Sequence, residues 1–148
     1  MAIIQLQPKE IAQFWDGIKV SLSRSNEIDD EHYYDYMNNA LKQLLSGKMS
    51  CWVVFDYTRD NLKNIHAMVV TSIREDLVFG YKTVQVEGLY GFRKLSDAQA
   101  LDAIEQLKKY ARNVGCRYIR AVTDNERAKQ IANLLGFSNF ATAYSLEV

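Results

Sequence analysis

Residues 87–137, EGLYGFRKLSDAQALDAIEQLKKYARNVGCRYIRAVTDNERAKQIANLLGF, hold the succession of elements on which the fold turns. Glu87, Gly88, Leu89 and Tyr90 end an alternating run. Val84, Val86, Gly88 and Tyr90 fall on one face and Gln85, Glu87 and Leu89 on the other, the period-two pattern of a strand. From Ser96, placed to cap a helix, the period changes: Ala100, Leu101, Ile104, Leu107, Ala111 and Val114 form a helical stripe that Gly115 closes. Residues 117–123 read as a strand again, and residues 126–135 as a helix with Ala128, Ile131, Ala132 and Leu135 inward. Residues 140–148 alternate and predict a last strand. Strands separated by single helices imply parallel crossovers, so the sequence predicts an α/β sheet covered on both faces, with the strand at 117–123 parallel to the one ending near Tyr90.

Upstream, residues 2–6 are short and apolar. Pro8 suits the opening of a helix whose apolar positions are Ile11, Phe14, Trp15, Ile18 and Leu22. After Ser23-Arg24-Ser25-Asn26 a second helix places Tyr34, Met37, Leu41, Leu44 and Leu45 on one face and ends at Gly47. Residues 51–57 and 65–73 read as a hairpin with a turn at Asp60-Asn61.

With 148 residues, 48% of them hydrophobic, the chain predicts one domain, residues 1–148, whose core needs no staples. Eighteen basic and eighteen acidic residues cancel, leaving no global field for nucleic acid or an anionic membrane, so neither is an expected partner. Cys51 and Cys116 sit in apolar, strand-like contexts that suit buried free thiols and a reducing, cytoplasmic setting. No CxxC occurs, and His32 and His66 lack partners at metal spacing, so no metal site is expected. The first ten residues do not read as a signal peptide, and no apolar run approaches eighteen residues. Lys108, Lys109, Arg112, Arg117 and Arg120 read as solvated faces of a helix and a strand.

The order of elements resembles the GNAT superfamily of N-acetyltransferases over nearly the whole chain: strand, two helices, three antiparallel strands, helix, strand, helix and a final strand. Asn125-x-x-Ala128 followed by Leu135-Gly136-Phe137 is similar to the family segment N-x-x-A-x-x-x-Y-x-x-x-G-F, with Ala132 where the family's proton-donating Tyr stands. Glu87-Gly88-Leu89-Tyr90-Gly91 is similar to the E-G-[IL]-Y-V strand of small-molecule acetyltransferases. The resemblance implies a GNAT-like acyl-CoA N-acyltransferase fold, a mixed central sheet with helices on both faces. It also implies acetyl-CoA as donor and an amine of a small molecule or peptide as acceptor, with a homodimer left open.

In that reading Glu87 receives the amine's proton, and a bulge splays the strand so that main-chain groups of Tyr90, Gly91 and Phe92 meet the acetyl carbonyl and the pantetheine arm. The family's pyrophosphate loop, [QR]-x-x-G-x-[GA], falls on Leu95-Ser96-Asp97-Ala98-Gln99-Ala100, or in a second register on residues 93–98. Arg93, Lys94, Ser96, Ala98, Ala100 and Asn125 are the remaining cofactor-binding candidates, with Asp97 bringing a negative charge to an anion site. Tyr144 or a water is left to protonate the thiolate. The tyrosine-rich run 32–36 borders the acceptor side in the family. The rival expectation is a non-catalytic module of the same fold, as in degenerate members including some from phages, acting through protein contacts.

Overall fold

The computed structural model describes residues 2–57, 63–123 and 125–148. Among these, the strands β1 (Ala2–Gln5), β2 (Met49–Tyr57), β3 (Lys63–Glu75), β4 (Lys82–Gly91) and β5 (Cys116–Ala121) form one sheet in chain order. Neighbours are antiparallel as far as β4, and β4 and β5 are parallel. The helix α3 (Asp97–Asn113) supplies the crossover that a parallel pair requires, as the sequence predicts. The Asp60-Asn61 turn lies outside the described residues.

Strand alternation sorts the core into two layers. Cys51, Val53, Phe55, Met68 and Val70 point to the face covered by α1 (Ile11–Ser25) and α2 (Tyr33–Ser46), where they meet Ile11, Ile18, Leu22, Met37, Ala40 and Leu44. Fully burying a residue such as Ile18 or Leu22 stabilises the fold by about 1.5–3 kcal/mol. On the other face Trp52 packs with Ile104 and Leu107 of α3, and Val84 with Ala111 and Cys116. Trp52 Nε1 donates to Thr71 Oγ1 at 3.0 Å, so a buried donor and a buried hydroxyl satisfy each other. Both cysteines are free and buried, and burial pushes the Cys51 thiol up to about 12.

Three sequence expectations need correction. In α2 the stripe is rotated by one position: Tyr34 and Leu45 are exposed, while Tyr33, Tyr36, Met37, Ala40, Leu41 and Leu44 line the core side. Those six keep the i, i+3, i+4, i+7 spacing better, and small Ala40 can be buried against the sheet where a bulky residue would hold the helix off.

In β4 the alternation reverses partway. Val70 faces Gly88 and Thr71 faces Val86, so Glu87 is the extra residue of a β-bulge. Gly88 therefore lies under α1, where a Cβ would come within 3.1 Å of the Ser21 carbonyl oxygen, and not on the Val84 face. Only glycine lets the helix lie this close.

Residues 140–148 carry no strand. Phe140 is held by the Arg120 guanidinium, 4.3 Å from its ring centroid, and Tyr144, Leu146 and Val148 are exposed. Alternation marks a capacity to pair, and realising it needs a ladder partner that these residues do not meet.

β5 is accordingly the last strand of the sheet. Its pairing with β4 skips Arg117, and the guanidiniums of Arg117 and Arg120 lie over the rings of Tyr81 and Tyr118. The final helix, α4 (Glu126–Leu134), begins at Asn125, whose side-chain oxygen accepts from the Ala128 N–H at 3.1 Å. Its Ala128, Ile131, Ala132 and following Leu135 are half-buried. Among the described residues no helix is long and apolar enough to cross a membrane, and no cluster of His, Cys, Asp and Glu could hold a metal ion.

Candidate active site

Parallel pairing of β4 with β5 ends at Val86 opposite Ala121, while β4 runs on to Gly91. The bulge at Glu87 sits where the strands part, because an extra residue bends its strand and increases the local twist. A cleft of about 350 Å3 opens there, lined by Asn26, Arg74, Gln85, Val86, Glu87 and Val122.

The bulge aims the Glu87 side chain to the α1 and α2 side of the sheet. Its Oε1 accepts from Ser72 Oγ at 2.6 Å and from Arg74 Nη2 at 2.7 Å. Both donors stand on β3, two residues apart on one face. Both use the same oxygen, so Oε2 is the atom left to accept a proton from another molecule. Glu87 remains 21% exposed, and Arg74 is largely in solvent, so the pair orients the carboxylate more than it stabilises the fold. Tyr36 of α2 lies near enough to feel the Glu87 charge. Burial first, and that charge second, push its phenol above the usual range, which keeps it a neutral hydroxyl.

Main-chain groups along the free part of β4 divide by alternation. The Leu89 N–H and C=O bond Ser25 Oγ, so they turn away from β3. Leu89 opposite Val69 is then a non-hydrogen-bonded pair, and Tyr90 opposite Met68 a hydrogen-bonded one. By the same parity Gly91 faces outward. The Phe92 and Arg93 N–H groups both donate to the His66 carbonyl, at 2.7 and 3.2 Å. Of the three residues named from sequence for main-chain contacts, Gly91 alone presents its backbone to the cleft side, and Leu89, not named, does so as well.

The start of α3 is built by a capping box. Ser96 Oγ accepts from the Gln99 N–H, and the Gln99 side chain accepts from the Ser96 N–H. The Ala100 N–H reaches the Ser96 carbonyl, which leaves the N–H groups of Asp97 and Ala98 at the positive end of the helix. Arg93, Lys94, Ser96, Asp97 and Ala98 are exposed, and Ala100 is half-buried. Neither Arg93 nor Lys94 is ion-paired among the described residues. Two free N–H groups and two unpaired cations fit a pyrophosphate; the Asp97 carboxylate opposes one. Asn125 is committed to capping α4, and Tyr144 stands in solvent.

A second depression, about 700 Å3, lies over the α1–α2 turn and is lined by Ser23, Asn26, Glu27, Ile28, Asp29, Asp30 and Tyr33. It is the larger of the two, yet the half-buried carboxylate at the strand bulge belongs to the smaller cleft, and Asn26 lines both. Within it the His32 main-chain N–H and then its ring hold the Asp29 carboxyl below its usual range.

Sequence reading missed Ser25, Asn26, Ser72 and Arg74, and named Tyr36 only within the tyrosine-rich run 32–36. The run Ser23-Arg24-Ser25-Asn26 signalled only a helix end, and nothing local shows that Ser72 and Arg74 stand beside the skipped residue of another strand.

A five-stranded sheet splayed between its parallel fourth and fifth strands, with two helices over one face and the crossover helix on the other, is the GNAT fold. No protein-family model matches the sequence, and no curated protein matches it significantly. Solved structures do. One described as a probable acetyltransferase superposes with a TM-score of 0.75 at 14% identity, covering 100% of this chain and 98% of that one. The aminoglycoside N-acetyltransferase AAC(6')-Iy, bound to a CoA bisubstrate analogue, gives 0.67 at 19% identity, covering 99% and 97%. The ribosomal-protein-alanine N-acetyltransferase of Brucella melitensis biovar Abortus 2308 gives 0.67 at 16% identity, with both chains covered in full.

Proposed function

We propose that this protein is an N-acetyltransferase that takes its acyl group from acetyl-CoA and delivers it to an amine of a small molecule or peptide. The observation that carries this reading is the Glu87 bulge. It places a carboxylate with one oxygen held and one oxygen unheld at the point where β4 leaves β5. Neighbours of the same fold are described in complex with CoA or acetyl-CoA, and some are named for aminoglycoside or ribosomal-protein acceptors.

Bound acetyl-CoA would supply an activated thioester. The chain's own part is to hold the donor by the outward N–H and C=O groups of Leu89 and Gly91, and its phosphates by the start of α3 with Arg93 and Lys94. Glu87 Oε2 would take the amine's proton as the new N–C bond forms and the C–S bond breaks. Glu27, Asp29 and Asp30 favour a cationic acceptor approaching over the α1–α2 turn.

The test is binding followed by turnover. CoA at one hundred times its dissociation constant is expected to add about 2.7 kcal/mol of stability, roughly 5–10 °C in Tm for a chain of this size. An unchanged Tm at millimolar CoA, with an empty cleft in CoA-soaked crystals, would replace this reading with a non-catalytic module of the same fold.

Asp97→Asn is expected to tighten CoA binding by roughly two- to fivefold at low salt, because it removes a negative charge from the phosphate end of the site. The gain should shrink as salt shortens the screening length to about 8 Å and below. Calorimetric titration at two ionic strengths reads both. Weaker binding by the variant would mean that Asp97 helps to build the site.

A further inference from the structure

The end of α1 is attached to the free edge of β4 by side chains. Ser25 Oγ accepts from the Leu89 N–H at 2.8 Å and donates to the Leu89 carbonyl at 2.9 Å. Asn26 Nδ2 donates to the Glu87 carbonyl at 2.7 Å and to the Leu22 carbonyl at 2.9 Å, so the residue that terminates α1 also grips the bulge. β5 has already parted from β4 at these positions, and without Ser25 and Asn26 they would be an open strand edge.

A strand edge asks its partner for one acceptor and one donor per outward residue, and a serine hydroxyl supplies both. So does a secondary amide, the group repeated along the pantetheine arm of CoA. One N–H makes one good hydrogen bond, so a donor arm lying along β4 and the Ser25 hydroxyl compete for Leu89. Ser25 is exposed and Asn26 has extended backbone angles, φ −130° and ψ 142°, so this attachment stands at a helix end, where water can replace it.

We propose that Ser25, with Asn26, is an internal stand-in for the acyl donor: it occupies the strand edge of β4 in the free protein and must give up Leu89 when acyl-CoA binds. The inference rests on the acyl-CoA reading above. Asn26 also lines the depression over the α1–α2 turn. Release of the turn by a donor therefore alters the acceptor side, and by linkage an acceptor that moves the turn alters donor affinity by the same factor.

The test compares wild type with Ser25→Ala, using CoA as the probe in calorimetric titration and amide exchange at Leu89 as a second readout. The variant is expected to bind CoA about tenfold more tightly, since loss of the competing hydroxyl removes a cost that the donor otherwise bears. In the free variant the Leu89 amide should exchange faster than in wild type, and CoA should restore its protection. If wild type binds CoA but the variant binds equally or less well, the stand-in is overturned and the acyl-CoA reading survives. If neither binds CoA, both are overturned. Should the variant not fold, a CoA-bound wild-type structure decides: Ser25 still bonded to Leu89 refutes the proposal, and Ser25 displaced by a pantetheine amide supports it.

Discussion

Glu87→Gln is expected to lower the rate of acetyl transfer by about 10²–10⁴-fold while leaving CoA affinity and Tm nearly unchanged. Glutamine keeps the length of the side chain and an oxygen that accepts from Ser72 and Arg74, so the bulge has no reason to reorganise. The variant lacks a basic oxygen for the proton that the amine must shed. Because Glu87 is partly exposed and its partner Arg74 largely so, the lost ion pair contributes little to folding. Steady-state kinetics beside a melting curve separate the two effects. Transfer at the wild-type rate would remove Glu87 from the chemistry and return attention to the neutral Tyr36 phenol beside it.

The largest loss of stability is expected at Trp52→Ala, about 3–5 kcal/mol in equilibrium unfolding. Trp52 is 6% exposed and anchors the layer beneath α3, touching Ile104 and Leu107 and meeting Tyr110 edge to face with centroids 4.5 Å apart. Truncation opens a cavity under the crossover helix and strands the Thr71 hydroxyl, which is 2% exposed. Trp52→Phe divides these contributions, since it fills much of the space but still orphans Thr71, at about 1–3 kcal/mol. A loss below about 1 kcal/mol for the alanine variant would show that α3 is held to the sheet by its other contacts.

The succession of elements was legible because it is written in periodicity. The stripe from Ala100 to Val114, its Ser96 cap and its Gly115 stop depend on neighbours in sequence, and so does the strand that follows. Glu87 was legible as a candidate for the same reason, through the short run around it. Its surroundings were not. A bulge changes the parity of a strand without changing its composition, so alternation put Gly88 and Tyr90 on the Val84 face. Phe92, named for main-chain contacts on the resemblance, engages His66, while Leu89 turns outward. In α2 two stripes one residue apart were both apolar, and the choice between Tyr34 and Tyr33 was settled by how closely Ala40 lets the helix approach, a tertiary fact. Ser25 and Asn26 act 64 and 61 residues away in the chain, beyond the reach of any local pattern.

The open side of β5 has a bearing on how the protein behaves in concentrated solution. A terminal strand offers unpaired N–H and C=O groups to any other chain, and this protein, with eighteen positive and eighteen negative charges, has no net repulsion to keep copies apart. What guards that side is local: the irregularity at Arg117, and the guanidiniums of Arg117 and Arg120 seated on Tyr81, Tyr118 and Phe140. Each cation covers apolar ring surface with a fixed positive charge, so an incoming strand would have to displace both. Neither side chain lines the cleft, and light scattering by a variant lacking both cations is expected to rise with concentration before its melting temperature falls.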